Sequence, residues 1–452
     1  MRPRGNPVSI DRPAAATAHA LASRIRAHEA TVGIIGLGYV GLPLAVEFAR
    51  AGFPVVGIDV NRVRVNDVNE GRSYIGDVSE ETLKALVDER VLRATTEFEA
   101  LQDIDAVIIC VQTPFTATKE PDLRFVVSSL HEIRRRLHPG QLVVLQSTTY
   151  PGTTDEVALP LLASSGLSTG VDFFLAFSPE RVDPGNIRYS TRDIPKVVGG
   201  TTPTCTRLAQ LLFEQVVTRV YPVSSTRVAE MTKLLENVFR SVNIALVNEL
   251  ALLCERMRID VWEAIDAAAT KPFGFMPFHP GPGVGGHCIP VDPYYLSWKA
   301  RAYDFNTKLI ALATEINEQM PHHVADRVTE AVNARLKRSI EGARILALGV
   351  AYKGEIADVR ESPAVKVLSL LRRRGAAIAY HDPYVPRVLV DEQECASVPL
   401  TPDAMAGADC VVILTDHAGI DFARVVEHAS FVFDTRNATR VVADPHGKIL
   451  RL

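Results

Sequence analysis

Apolar residues along this chain come in short closed runs, each followed by an amphipathic stretch. Val32–Ile35, Val55–Ile58, Asp105–Val111 and Leu142–Gln146 are nearly unbroken in apolar character. Runs of that length mark strands buried on both faces of a parallel sheet. Between the first two lies LPLAVEFARAG, residues 42–52, whose apolar positions follow a helical period. The pattern returns late in the chain, where Arg344–Gly349, Ala377–His381, Asp409–Leu414 and Phe431–Phe433 read as strands. Residues 224–256 contain no Gly or Pro, keep a helical period and open on serine and threonine, good helix-capping types. Strand–helix alternation on either side of one long helix predicts an α/β protein with two doubly wound sheets.

The first strand runs straight into Gly36-Leu37-Gly38-Tyr39-Val40-Gly41, and the second ends in Asp59. Gly36 permits the tight turn, Gly38 lets the backbone approach a pyrophosphate, and Gly41 lets helix and strand pack closely. The helix start offers unpaired N–H groups to phosphate. Asp59 suits a ribose diol and repels a 2′-phosphate, so the expected cofactor is NAD. The next two strands run into Thr113 and Thr148, which either face the ligand crevice or merely cap turns. The fold expected is two Rossmann-like doubly wound domains joined by a long central helix with a helical middle domain. The expected parts are an N-terminal extension (1–30), an NAD-binding domain (31–221), a helical dimerisation domain with a cysteine loop (222–325) and a C-terminal domain (326–452).

On the central helix Lys233 and Asn237 lie four apart and share a face, with Leu234, Val238 and Phe239 close by. The plainer reading of Lys233 alone is a solvated lysine at the edge of a buried helix. Residues 281–293 read GPGVGGHCIPVDP. So much Gly and Pro excludes helix and strand, keeps the backbone approachable, and leaves Cys288 open to act as a nucleophile toward a carbonyl carbon, with Asp292 and a lysine handling the proton. A structural cysteine filling a gap is the alternative. Beyond the late strands, Lys353, Arg360 and Arg436 are three cations suited to a diphosphate.

The chain has 452 residues, 47% of them hydrophobic and 23% charged, with a formal net charge of −4. That balance speaks against a nucleic-acid or membrane surface, both of which favour a basic face. Apolar runs are expected to be broken before reaching bilayer length. Residues 1–30 read as a poorly ordered lead plus a short helix rather than a signal peptide. Six cysteines without a CxxC pair fit reduced thiols, no metal knuckle and a cytoplasmic protein. The long apolar helix predicts a homodimer packed through it.

Together GLGYVGLP, the aspartate-tipped strand, QTP, QSTTYPGTT, FSPERVDPGN, AEMTKLLENVFRSVNIALVNE, GPGVGGHCIPVDP, GVAYKGEIADVRESPA and DTRN resemble the UDP-glucose/UDP-mannuronate dehydrogenase family. These are NAD-dependent nucleotide-sugar 6-dehydrogenases. The resemblance implies that Cys288 is the nucleophile, that Lys233 and Asp292 handle protons and oxyanions, and that Asn237 holds substrate and water. It makes Glu180 the general base for hydrolysis, assisted by Thr148. It gives Gly38, Tyr39, Val40, Asp59, Arg64, Thr113, Thr148 and Arg360 to NAD. Lys353 and Arg436 would grip the UDP-sugar, with Arg181, Phe278 and Gly285 shaping its pocket. The implied reaction is a four-electron oxidation of sugar C6 to the carboxylate, for surface polysaccharide precursors. SPERVDPGN and the cysteine loop are most similar to the branch acting on UDP-N-acetylglucosamine. UDP-glucose, UDP-N-acetylmannosamine and UDP-N-acetylgalactosamine are the competing substrates. An NAD-binding redox regulator and a hydroxyacid dehydrogenase of the 6-phosphogluconate type are more distant alternatives.

Overall fold

The computed structural model describes residues 12–116, 118–182, 191–286, 289–337 and 339–452. Cys288, the expected nucleophile, and the Asp183-Pro184 pair of the SPERVDPGN stretch lie outside the described residues. The chain divides into two compact units, Met1–Leu235 and Glu236–Leu452.

The first unit is built on an eight-stranded sheet. Its strands are β1 (Val32–Ile35), β2 (Val55–Ile58), β3 (Leu92–Thr95), β4 (Ala106–Ile109), β5 (Leu142–Leu145), β6 (Phe174–Phe177), β7 (Lys196–Gly200) and β8 (Val220–Pro222). The order is β3-β2-β1-β4-β5-β6-β7-β8, parallel except where β6 meets β7. Alternate residues feed opposite faces. Val32, Ile34, Ile108 and Val144 pack on one side with Leu42 and Phe48. Ile35, Val107, Ile109 and Leu145 pack on the other with Leu130 and Leu162. Burial on both faces is why these strands read as solid apolar runs.

The N-terminal segment is part of the first unit. A helix spans Arg12–Arg26 and buries Leu21 and Ile25 in the first unit's core. Arg24 pairs with Asp105, and His28 stacks on Phe53 with ring centroids 4.6 Å apart. Leu21 and Ile25 are four apart on one helical face, so this alanine-rich segment can join the core beside helix Pro203–Phe213.

The second unit carries a parallel five-stranded sheet of β9 (Arg344–Leu348), β10 (Ala377–His381), β13 (Cys410–Ile413), β14 (Val432–Asp434) and β15 (Ile449–Arg451), ordered β10-β9-β13-β14-β15. A hairpin, β11 (Arg387–Val390) with β12 (Gln393–Ala396), interrupts it. Here again Ile345 and Ala347 face one core, and Leu346 and Leu348 the other.

The central helix spans Thr226–Met257. By length and composition it is apolar enough to cross a membrane, against the expectation that every apolar run stops short. Between Arg240 and Glu255 only Glu249 is charged, which explains the difference. Ser241 and Asn248 are nevertheless buried on its inner face. Val228, Met231, Leu235, Phe239, Leu246, Leu250, Leu253 and Met257 stay exposed along another.

Candidate active site

At the exit of β1 the backbone dictates the residues. Gly36 has φ +93°, and a Cβ there would lie 2.7 Å from the Cys110 carbonyl oxygen. A Cβ on Gly41 would collide with the Gly36 carbonyl, whereas Gly38 faces open space. Two glycines therefore serve the turn, and the third leaves room for a ligand. Helix Gly41–Arg50 begins at Val40 with no side chain capping its first turn, and the exposed Tyr39 precedes it.

Asp59 at the end of β2 is buried and oriented. Its Oδ2 accepts from Leu37 N at 2.8 Å, its Oδ1 from Asn61 N at 2.9 Å, and Arg64 stands 3.5 Å away. Open space over Gly38, an uncapped helix start and a fixed carboxylate at the neighbouring strand end together fit the adenosine side of NAD.

Thr113 and Thr148 are joined. The Thr113 hydroxyl donates to the Thr148 carbonyl at 2.7 Å, tying the exits of β4 and β5. The same β5 exit is fastened to the central helix. Glu230 accepts from Gly152 N (2.5 Å), Thr154 N (2.8 Å) and the Thr154 hydroxyl (2.7 Å). Thr226 donates to Asp155 at 2.7 Å, and Arg227 donates to it at 2.9 Å. Burial pushes the Glu230 carboxyl up to about 7 in spite of these donors. One helical turn further on, Lys233 is buried, and among the described residues its ammonium has no hydrogen-bond partner. This is not the solvated lysine of the plainer reading.

Glu180, the expected general base, does not present a free carboxylate. Its Oε1 accepts from Arg181 N (2.8 Å) and Val182 N (2.9 Å). Its Oε2 accepts from Gln146 Nε2 (2.6 Å) and Lys196 Nζ (2.8 Å). Four donors saturate an ionised carboxylate. Burial works against its charge, but Lys196 and the backbone donors outweigh that and hold the carboxyl below its ordinary value. Such a group is a weak base. Arg181, expected to shape the substrate pocket, donates to the Pro195 carbonyl at 2.6 Å.

In the second unit, Asn237 donates its Nδ2 to Asp292, the first residue of helix Asp292–Ala300, and both are buried. A chain of amides fixes the start of the glycine-rich loop. Asn248 Oδ1 accepts from Gly281 N (3.0 Å), Asn248 Nδ2 donates to Asn317 (2.9 Å), and Asn317 donates to the Ser241 carbonyl (3.0 Å). The loop glycines are explained by packing. A Cβ on Gly281 would stand 2.9 Å from Arg436 Nη1, and one on Gly285 would stand 2.5 Å from Tyr352 Cβ. Gly286, at φ +86°, lies under the Tyr352 ring and donates to the Arg360 carbonyl at 2.9 Å. Phe278 meets Phe239 edge-on at 5.8 Å. The backbone expected to stay open to a ligand is thus, at these glycines, pressed against the C-terminal strand ends.

The three expected cations have different surroundings. The Arg436 guanidinium is half-buried and donates to the Leu414 carbonyl at 2.9 Å. Burial pulls its pKa below the ordinary value, against Asp416 and Asp434. Lys353 is half-buried just past β9. Arg360, assigned to NAD, is an exposed residue of the second unit that forks onto Asp358.

The two sheets share a device that sequence reading missed. GVAYKG (349–354) follows β9 as GLGYVG (36–41) follows β1. Gly349 has φ +82°, and Asp382 at the end of β10 accepts from Val350 N (2.8 Å) and Ala351 N (3.1 Å), as Asp59 accepts from Leu37 N. Here the turn is sealed from behind. His417, fully buried, stands 3.1 Å from Asp382, and its other nitrogen accepts from Glu355 N at 3.2 Å. Lys196, Gln146, Glu230, Asn248 and Asn317 were also missed. The available signal was a polar residue opening, ending or interrupting an otherwise apolar run.

Three family models cover the chain. The NAD-binding domain of the UDP-glucose/GDP-mannose dehydrogenase family matches residues 30–217, its central domain 227–319 and its UDP-binding domain 346–441. A relative called UDP-N-acetyl-D-glucosamine 6-dehydrogenase, from Salmonella typhi, is 35% identical over 86% of this chain and 90% of its own. A UDP-N-acetyl-D-mannosamine dehydrogenase from Pyrococcus horikoshii is 39% identical over 85% of this chain and 89% of its own. A solved UDP-D-ManNAc dehydrogenase from Pyrococcus horikoshii superposes with a TM-score of 0.84 at 34% identity, covering 93% of this chain and 98% of that one. The chain belongs to the UDP-glucose/GDP-mannose dehydrogenase family and binds NAD through its first unit.

Proposed function

We propose that this protein oxidises C6 of a UDP-N-acetylhexosamine, UDP-N-acetylglucosamine first among them, to the uronic acid. NAD, when bound, accepts hydride from the sugar at each of two oxidations. The chain's own residues do the rest. The Cys288 thiolate forms a C–S bond to the aldehyde carbon and keeps the half-oxidised sugar from leaving. The second oxidation turns that adduct into a thioester. Water then breaks the C–S bond, releasing carboxylate and regenerating the thiol. Lys233 stabilises the oxyanions on the carbonyl oxygen, and Asp292, oriented by Asn237, accepts protons. Glu180, held ionised by four donors, borders the site at the β6 exit.

The observation that carries this reading is Lys233, a buried lysine one helical turn beyond the Glu230 anchor on the central helix. Family membership supports a nucleotide-sugar substrate, and the SPERVDPGN and GHCIPVDP stretches favour the acetylamino-sugar branch. The 39% identity to the mannosamine enzyme favours UDP-N-acetylmannosamine as the second reading. A panel of UDP-sugars with mass spectrometry of the product separates them, and turnover of UDP-glucose alone would reject the branch.

The exposed apolar line on the central helix, Val228 to Met257 at intervals of three, four and seven, supports a homodimer with that line buried against a second copy. Free thiols at every described cysteine suit the reducing cytoplasm in which we place the enzyme.

A further inference from the structure

Lysine is seldom fully buried unless paired, yet Lys196, the first residue of β7, is only 3% exposed. Its stem runs beside the Phe213 ring, with the ammonium 5.3 Å from the ring centroid. Its one ion-pair partner among the described residues is Glu180, which follows the end of β6. β6 and β7 run antiparallel, so the exit of one adjoins the start of the other. A second bond closes the same seam, since Arg181 donates to the carbonyl of Pro195, next to Lys196. The carboxylate held by Lys196 and Gln146 in turn accepts from the backbone of Arg181 and Val182 and so sets the course of the chain there.

We propose that Lys196 is a positioning residue of the active site: it anchors Glu180 as an ionised strut that fixes the β6 exit and the Arg181 side chain upon it. Removing one member of a buried pair leaves the other unpaired, the costly case for buried ions. The groups facing Glu180 are Lys196 from β7, Gln146 beyond β5, the Cys110 thiol beyond β4 and the adjoining Arg181. Burial pushes the Cys110 thiol up to about 12, so it stays neutral and cannot replace the cation.

The proposal deepens the functional reading and rests on it for its kinetic arm only. K196M keeps the apolar stem against Phe213 and deletes the charge. Without its cation, burial raises the Glu180 pKa, so K196M loses stability as pH rises above the ordinary carboxylate range. In the wild type Glu180 adds no such loss to that of Glu230, and the double variant K196M/E180Q abolishes the added part. Thermal melts from pH 4 to 8 read this directly, without any substrate. In the kinetic arm, the acid limb of turnover moves up by about one pH unit or more. NAD affinity is unchanged and K196R restores the profile. A merely structural lysine would lower activity without moving the limb. Should K196M fail to fold, K196Q takes its place in both arms. Wild-type pH dependence of melting in the charge-deleted variant, or an E180Q change that leaves its slope intact, overturns the proposal. A wild type inactive on every UDP-sugar would instead overturn the function and leave the melts to decide on Lys196.

Discussion

At the scale of single residues, charge and approach decide the chemistry. C288S loses the nucleophile, so acid formation should vanish while NAD still binds, as fluorescence titration would show. An acid-forming C288S enzyme would exclude the covalent route. K233A removes the oxyanion donor and should cut turnover by about 10²–10³, the loss typical of one such group, with little change in NAD affinity; unchanged turnover would take Lys233 out of the reaction. D59A should weaken NAD selectively, because its carboxylate orients the glycine turn and is the group expected to take the ribose diol. Most residues whose backbone was forced were legible in the sequence. Gly36, Gly41 and Asp59 announce themselves because a strand, a turn of positive φ and a strand tip leave no other choice. The partners of Glu180 were hidden for an opposite reason. Its neighbours in the chain reveal neither Lys196 nor Gln146, which reach it only through the sheet.

At the scale of elements, the central helix is fastened by buried polar groups rather than by propensity. Glu230 gives this a pH signature. Its folded pKa of about 7 lies above the ordinary value of 4.5. The native state therefore holds a proton that the unfolded state has released. Its contribution to stability is complete below about pH 4.5 and is lost as pH rises through 7, a difference of about 3 kcal/mol. In E230Q that decline should flatten in melts taken between pH 4.5 and 8. A slope equal to wild type would show that Glu230 does not titrate there. The strands and this helix were readable because apolar period is a local property. The glycine loop was readable as a loop, but its reason was not. Its glycines sit where Tyr352 and Arg436 press, contacts made across about 65 to 155 residues of chain. G285A should accordingly disturb loop packing against Tyr352 and destabilise the second unit, measurable by denaturant melting; a wild-type midpoint would remove this explanation.

At the scale of the whole molecule, one architectural idea appears twice. Each unit turns out of a central strand at a positive-φ glycine and fixes that turn with an aspartate from the neighbouring strand. One turn leaves Gly38 open, and the other is backed by His417 and Asp382. The repeat was hidden because Ala351 stands where the middle glycine of a dinucleotide fingerprint would be. The proposed dimer belongs to this scale too. L246E together with L250E should convert it to monomer in light scattering, and a double variant that stays dimeric would move the interface off the central helix. The most direct test of the account is the stoichiometry of NADH formed per molecule of UDP-N-acetylglucosamine, with the sugar product weighed by mass spectrometry. The account predicts two NADH and the uronic acid. One NADH with a free aldehyde, or none with any acetylamino sugar, would contradict it.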